Sequence, residues 1–193
     1  RERVDFFGNR VVYFSLESLH DELQVNVTSD IETRPRPTQD FFSTIAWEQA
    51  VRETAADIRY SNRDCLEARL YMLDSPFIHQ HESLATYASS SFFAGRNLLD
   101  SVLDLNHRIF SEFVYDPDFT TVATPPEGQE KLLGADATHA WLAVFIPGWG
   151  WLEIDPTNGC VPDERYIILG WGRDFADVTP LKGVMTGGGE HKL

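Results

Sequence analysis

A chain of 193 residues is long enough for one substantial core, or for one core and a smaller packed unit, and no apolar run in it approaches the roughly 20 residues that a membrane span needs. Thirty acidic against sixteen basic residues give a formal charge of −14 with no Lys/Arg cluster to break it, so a nucleic-acid partner is disfavoured and a membrane partner is not expected. Cys65 and Cys160 occur in unrelated contexts, which suits a reducing compartment, and Arg1-Glu2-Arg3 does not lead into the apolar stretch of a signal peptide; both point to a cytoplasmic protein.

In chain order, residues 4–7 and 11–16 are rich in β-branched and aromatic side chains and flank a Gly8-Asn9 turn signal. Residues 23–28 alternate cleanly, with Leu23, Val25 and Val27 against Gln24, Asn26 and Thr28, so a third strand is expected. These make residues 1–36 part of an N-terminal β-region. Pro35 and Pro37 mark 31–38 as a linker, because proline disfavours helix and removes a ladder donor. Ser43 can cap a helix in which Trp47, Val51, Thr54, Ala55 and Ile58 recur at three- and four-residue steps. Shorter helical pieces are expected at 66–73 and 84–91. The best helix follows Asn97, with Leu98, Leu99, Val102, Leu103, Ile109, Phe110 and Phe113 on one stripe.

Residues 113–115 and 119–122 flank Asp116-Pro117-Asp118, which reads as a β-turn. A polar, proline-containing stretch runs from 124 to 137, and two strands follow in the segment ATHAWLAVFIPGWGWLEIDPTNG at 137–159. Residues 165–169 offer one more strand, and Gly187-Gly188-Gly189 marks a loose end. Helices in the middle and strands at either end predict an α+β fold.

The 137–159 segment sets one histidine and one aspartate on otherwise apolar strands. In a hairpin, His139, Trp141 and Ala143 share one face, and Trp151, Glu153 and Asp155 share a face of the return strand. The histidine and the aspartate meet only if opposed residue numbers sum to an even value, ideally with 139 facing 155. A four-residue turn between Ile146 and Trp151 gives an odd sum and separates them. The pairing therefore demands a three-residue or wider loop, or a bulge, which Gly148 and Gly150 make easy. An Asp beside a His fixes the imidazole tautomer and stabilises the imidazolium when the ring takes a proton from Cys or Ser. Two plainer readings stay open: a histidine at a strand start is often a structural residue, and Asp155 before Pro156 is a good turn initiator by itself.

The words HAW, the Pro-Gly-x-Gly turn, WLEIDPTN and DERYI resemble the transglutaminase-like superfamily, in particular its bacterial members. VDFFGNRVVYF is similar to the end of that family's N-terminal β-region, and FVYDPDFTTVATP and GWGRDFADVTPLKGV resemble other parts of it. The resemblance implies a papain-like core over residues 37–193, a Cys-His-Asp triad with His139 as general base and Asp155 as its orienter, and no cofactor or metal. Trp141 and Trp151 would frame the site or its core. The implied partner is a peptide or protein amide substrate, and the implied activity is that of a cysteine protease-like hydrolase or acyltransferase.

One departure from the family pattern matters. The family's nucleophile segment, with its helix and strand, falls between the ATP stretch and the His motif, yet here Thr124-Pro125 runs directly into Pro126-Glu127. Either a segment is absent at the 125/126 junction or the chain has lost its catalytic helix. The first is preferred, because deleting that much buried surface should exceed the roughly 5–15 kcal/mol that stabilises a domain. Cys65 lies in or beside a helical piece, and Cys160 lacks the helix N-terminus that lowers a thiol's pKa, so neither replaces the nucleophile. His20, His79, His81, His107 and His191 show no metal-ligand spacing, and the glycines at 187–189 do not form a phosphate loop. The alternative to an enzyme is an inactive module in which the same groove binds a peptide or partner.

Overall fold

The structure, a computed structural model, describes residues 1–20, 22–34, 44–55, 63–114, 139–184 and 186. Contacts divide the chain into two compact units, one built from Arg1–Asp30, Asp74–His79 and Ile168–Leu193, the other from Ile31–Leu73 and Gln80–Ile167. Among the described residues the fold is mixed α and β, with two antiparallel two-stranded sheets and five helices.

In the first unit β1 (Glu2–Val4) pairs antiparallel with β2 (Arg10–Val12), Arg3 opposite Val11. Asp5 folds the connection by accepting hydrogen bonds from the backbone N–H of Phe7 at 2.9 Å and of Asn9 at 2.8 Å. The Asn9 side chain then behaves like a backbone peptide toward the late part of the chain, donating to the Trp171 carbonyl at 2.7 Å and accepting from the Trp171 N–H at 2.7 Å. The short helix α5 (Phe175–Val178) is capped by Asp174, whose Oδ1 accepts from Ala176 N–H at 2.8 Å while Oδ2 accepts from Phe77 N–H at 2.7 Å. The sequence pattern gave no sign of α5.

Four expected strands need correction. The one expected over 4–7 lies at Glu2–Val4, with residues 5–7 in the connection, the one expected over 11–16 ends at Val12, and residues 23–28 and 165–169 form none. Alternation fixes which side chains share a face, but a strand exists only where a second backbone completes its ladder. Leu23, Val25 and Val27 are all exposed, so the alternating pattern there covers no core. Around residue 165 the chain turns on itself: Tyr166 N–H bonds the Asp163 carbonyl at 3.1 Å, and the Arg165 guanidinium pairs with the Asp163 carboxylate at 2.7 Å.

The second unit holds α1 (Trp47–Ala55), α2 (Arg63–Leu70), α3 (Glu82–Ser89), α4 (Leu98–Glu112), β3 (Leu142–Ile146) and β4 (Gly150–Ile154). The four expected helices are present with shifted ends. Asn97 caps α4, its Oδ1 accepting from Leu99 N–H at 2.9 Å and Asp100 N–H at 3.4 Å, and its Nδ2 donates to the Thr44 carbonyl at 2.7 Å. His81 caps α3, with Nδ1 accepting from Ser83 N–H.

Ala50 of α1, Leu98, Leu99 and Val102 of α4, Ile146 of β3, and Leu152 and Ile154 of β4 form the core, with Trp47, Phe92 and Val144 against it. Full burial of an aliphatic side chain such as Ile146 contributes about 1.5–3 kcal/mol. The expected α4 stripe is buried only in its N-terminal half. Phe110 and Phe113 are exposed, Phe113 meeting only the edge of the Tyr87 ring at 5.6 Å among the ring contacts. The expected Ser43 cap, the turn at 116–118, the 125/126 junction and the glycines at 187–189 lie outside the described residues.

Candidate functional site

The hairpin is β3 and β4 joined by a three-residue loop, Pro147-Gly148-Trp149, with Ile146 opposite Gly150, Val144 opposite Leu152 and Leu142 opposite Ile154. Opposed numbers have an even sum, as the pairing of His139 with Asp155 requires. Gly148 at φ 80° and Gly150 at φ 99° take up the left-handed backbone that so short a loop needs, and Trp149 N–H closes it on the Ile146 carbonyl at 3.0 Å. The even-numbered residues Val144, Ile146, Leu152 and Ile154 face the core. The odd-numbered ones share the opposite face, where Phe145 and Trp151 meet edge to face at 5.4 Å and Trp151 reaches Tyr71 at 5.0 Å.

The register differs by two residues from the ideal one. Extended past Leu142 and Ile154, it sets Trp141 opposite Asp155 and leaves His139 on the diagonal, where backbones are about 7–8 Å apart. The length of the imidazole closes that gap. His139 Nε2 lies 3.0 Å from Asp155 Oδ2, the His139 side chain being 12% exposed and the Asp155 side chain fully buried.

Asp155 is surrounded by donors. Oδ1 accepts from the backbone N–H of Thr157 at 2.9 Å and of Asn158 at 3.2 Å, which winds the Pro156–Gly159 turn. Oδ2 accepts from His139, from Asn158 Nδ2 at 2.7 Å and from the Tyr166 hydroxyl at 2.8 Å. The turn is closed by reciprocal backbone bonds between Asp155 and Cys160 at 2.8 and 3.2 Å. Oδ1 therefore serves the turn alone, while Oδ2 is shared by the imidazole, the Asn158 side chain of the turn and Tyr166. Burial pushes the carboxyl pKa up, but the bonds from Asn158, Tyr166 and His139 outweigh it and hold the acid below its ordinary value.

An ionised carboxylate only accepts, so the proton on the shared His139–Asp155 bond sits on Nε2. In the neutral ring, that arrangement puts the lone pair on Nδ1. Among the described residues no group hydrogen-bonds to Nδ1. The Trp141 ring stacks on the imidazole at 6.2 Å and 27°, and its Nε1 donates to the buried Glu153 at 3.1 Å. Trp141 thus borders the histidine, while Trp151 packs within the aromatic layer of the same face.

Tyr166, Asn158 and Glu153 were not singled out by the sequence. Asn158 follows Asp155 in an Asp-Pro-Thr-Asn turn, a spacing that could have suggested it. Tyr166 reaches the site from irregular chain, where no periodicity announces a direction. Burial, with bonds to Cys160 and Asp155, pushes its phenol well above the ordinary value, so it stays protonated and donates. Because Tyr166 spends its proton on Asp155, the 3.3 Å contact between Cys160 Sγ and the Tyr166 oxygen has the thiol as donor. Cys160 is therefore engaged by Tyr166 and not by His139, and Cys65 is a half-buried free thiol on α2. Among the described residues no cluster of three or more His, Cys, Asp or Glu side chains could hold a metal ion, and no helix is long and apolar enough to cross a membrane.

An imidazole with one nitrogen fixed to a buried carboxylate and the other bearing a lone pair can accept a proton from an acidic neighbour and return it. No family model matches the chain, and no solved structure matches it. The chain is similar to uncharacterized proteins of Mycobacterium tuberculosis and Mycobacterium bovis, each 29% identical over 237 residues, a span that covers 98% of this chain and 73% of the relative. An uncharacterized protein of Mycobacterium leprae is 25% identical over 229 residues, covering 98% of this chain and 77% of the relative. Both spans exceed the 193 residues of this chain, so within them the relatives hold residues that this chain lacks.

Proposed function

We propose that the β3–β4 hairpin carries the base and the orienter of a transglutaminase-like cysteine hydrolase or acyltransferase with a papain-like core, acting on peptide or isopeptide amide bonds. The observation that supports it is the 3.0 Å bond from His139 Nε2 to a carboxylate held by four further donors, which leaves Nδ1 as the proton acceptor. In this chemistry Nδ1 takes the proton of a thiol and the thiolate attacks the amide carbon. The C–N bond then breaks, with the proton delivered to the leaving amine. Water or a second amine next attacks the thioester, His139 removes its proton, and the thiol is restored. Hydrolysis is preferred to cross-linking on family analogy alone.

The thiol is assigned to a segment at the 125/126 junction. The relatives' matched spans hold residues that this chain lacks, and the nucleophile segment is proposed to be among them. A second reading is favoured by the engagement of Cys160 with Tyr166: without a further thiol, the same sheet face binds a peptide or partner and performs no chemistry.

Intact mass and a thiol-reactive probe separate the two on protein expressed from the native gene. A chain heavier than 21.9 kDa with one fast-reacting thiol, slowed about 100-fold by His139→Gln, is the outcome expected of the enzyme. A mass near 21.9 kDa with only ordinary thiols would overturn it in favour of the binding module.

A further inference from the structure

Three donors converge on a single carboxylate oxygen, and one of them belongs to a chain of hydrogen bonds leading away from the histidine. Oδ2 of Asp155 accepts from Asn158 Nδ2 at 2.7 Å, from the Tyr166 hydroxyl at 2.8 Å and from His139 Nε2 at 3.0 Å, so the histidine has the longest of the three. Behind Tyr166 stands Cys160, whose thiol donates to the phenol oxygen at 3.3 Å. Donors sharing one acceptor draw on the same electron density, and a phenol that accepts a hydrogen bond becomes a better donor.

We infer that Tyr166 is a positioning residue for His139: its hydroxyl, backed by the Cys160 thiol, fixes the Asp155 oxygen that holds the ring and limits how strongly that oxygen favours the imidazolium. Tyr166 touches neither ring nitrogen and acts only through Asp155. Its own ring is held edge to face against Trp141 at 5.3 Å, the same indole that stacks on His139, so the phenol is tied to the site at both ends. Among the described residues, the ionisable groups next to this network are Glu153, spaced from the ring by Trp141, and Arg165, beside Tyr166 and Cys160, whose guanidinium is paired with Asp163. The inference rests on reading His139 as a base. A general base works best when it gains and loses its proton near the working pH, and too strong a carboxylate partner would hold the imidazolium charged and idle.

The test is the pH titration of the His139 ring resonances in the full chain, followed by NMR and assigned by their loss in His139→Gln. Tyr166→Phe keeps the ring and its packing against Trp141 while removing the hydroxyl. It is expected to raise the titration midpoint of His139 by about 0.5 pH or more, since a single hydrogen bond to a charged group is lost from Asp155. Cys160→Ala, which leaves Tyr166 in place, is expected to raise it by less and in the same direction; it also supplies the answer if Tyr166→Phe does not fold. Asp155→Asn is expected to lower the midpoint. An unmoved or lowered midpoint in the foldable Tyr166 and Cys160 variants, with Asp155→Asn lowering it, overturns the role of Tyr166 and leaves the His139–Asp155 pair standing. If Asp155→Asn leaves the midpoint unmoved, the pair itself fails and the inference fails with it.

Discussion

His139 Nε2 and Asp155 Oδ2 stand 3.0 Å apart although the two residues are diagonal across the ladder, because the imidazole spans the offset that direct opposition would have avoided. The aspartate at the receiving end is fully buried and accepts five hydrogen bonds, so its loss leaves donors from the turn, from Tyr166 and from the ring unsatisfied together. Asp155→Ala is expected to cost about 3–5 kcal/mol. Urea unfolding followed by tryptophan fluorescence measures it, and a cost below 1 kcal/mol would show that the carboxylate is not the centre of this network.

The depressed pKa of Asp155 gives stability a pH dependence of known sign. Its folded value lies below the ordinary 3.8, so the stability it contributes is fully present above that value and is lost as pH falls toward the folded one. Unfolding free energy is therefore expected to fall as pH drops below about 4. In Asp155→Asn the fall should be shallower because that carboxylate no longer titrates, but it persists because the half-buried Asp163 and Asp177, whose values are also lowered by Arg165 and Arg173, remain. Denaturant titrations at pH 6, 4 and 3 compare the two slopes.

Gly159 ends the turn that Asp155 begins. Its φ of 64° is left-handed, and a Cβ there would stand 2.8 Å from the Phe110 ring of α4. Gly159→Ala is expected to destabilise the protein by about 2–4 kcal/mol, part from the backbone and part from the clash. In the double variant with Phe110→Ala the clash disappears and a cost of about 1–2 kcal/mol remains. Equal costs in both backgrounds would mean that Phe110 does not press on the turn.

The α4 cap gives a separate check on the core. Asn97→Ala removes the acceptor for Leu99 and Asp100 N–H and the donor to the Thr44 carbonyl, and should cost about 1–2 kcal/mol. Asn97→Asp keeps the acceptor and loses the donor, so its melting temperature should fall between wild type and Asn97→Ala. A melting temperature for Asn97→Asp as low as that of the alanine variant would contradict the capping role.

Sequence reached the site farther than it reached the sheets. The parity of the hairpin was legible because only an odd-membered loop or a bulge puts positions 139 and 155 on one face, and the 147–149 loop meets that condition. The two-residue offset was not legible, because parity fixes the face and says nothing of the diagonal. The α4 start was legible from Asn97 and the Leu98, Leu99, Val102 spacing, whereas the exposure of Phe110 and Phe113 depends on what lies over the C-terminal half of the helix. Residues 23–28 misled because alternation is a property of one chain and a ladder needs two. Tyr166 stayed hidden since a donor from irregular chain leaves no spacing to read, whereas alternation placed Glu153 on the face of Asp155 without showing that the Trp141 indole would hold it.

The loop of three between Ile146 and Gly150 has a consequence for descent. Inserting one residue there, without a compensating bulge, would turn β4 over, drive Glu153 and Asp155 into the oily side and put Leu152 and Ile154 in their place. Length changes at this bend are thus quantised: a change of two residues keeps the pair on one face, whereas a change of one keeps it only with a compensating bulge.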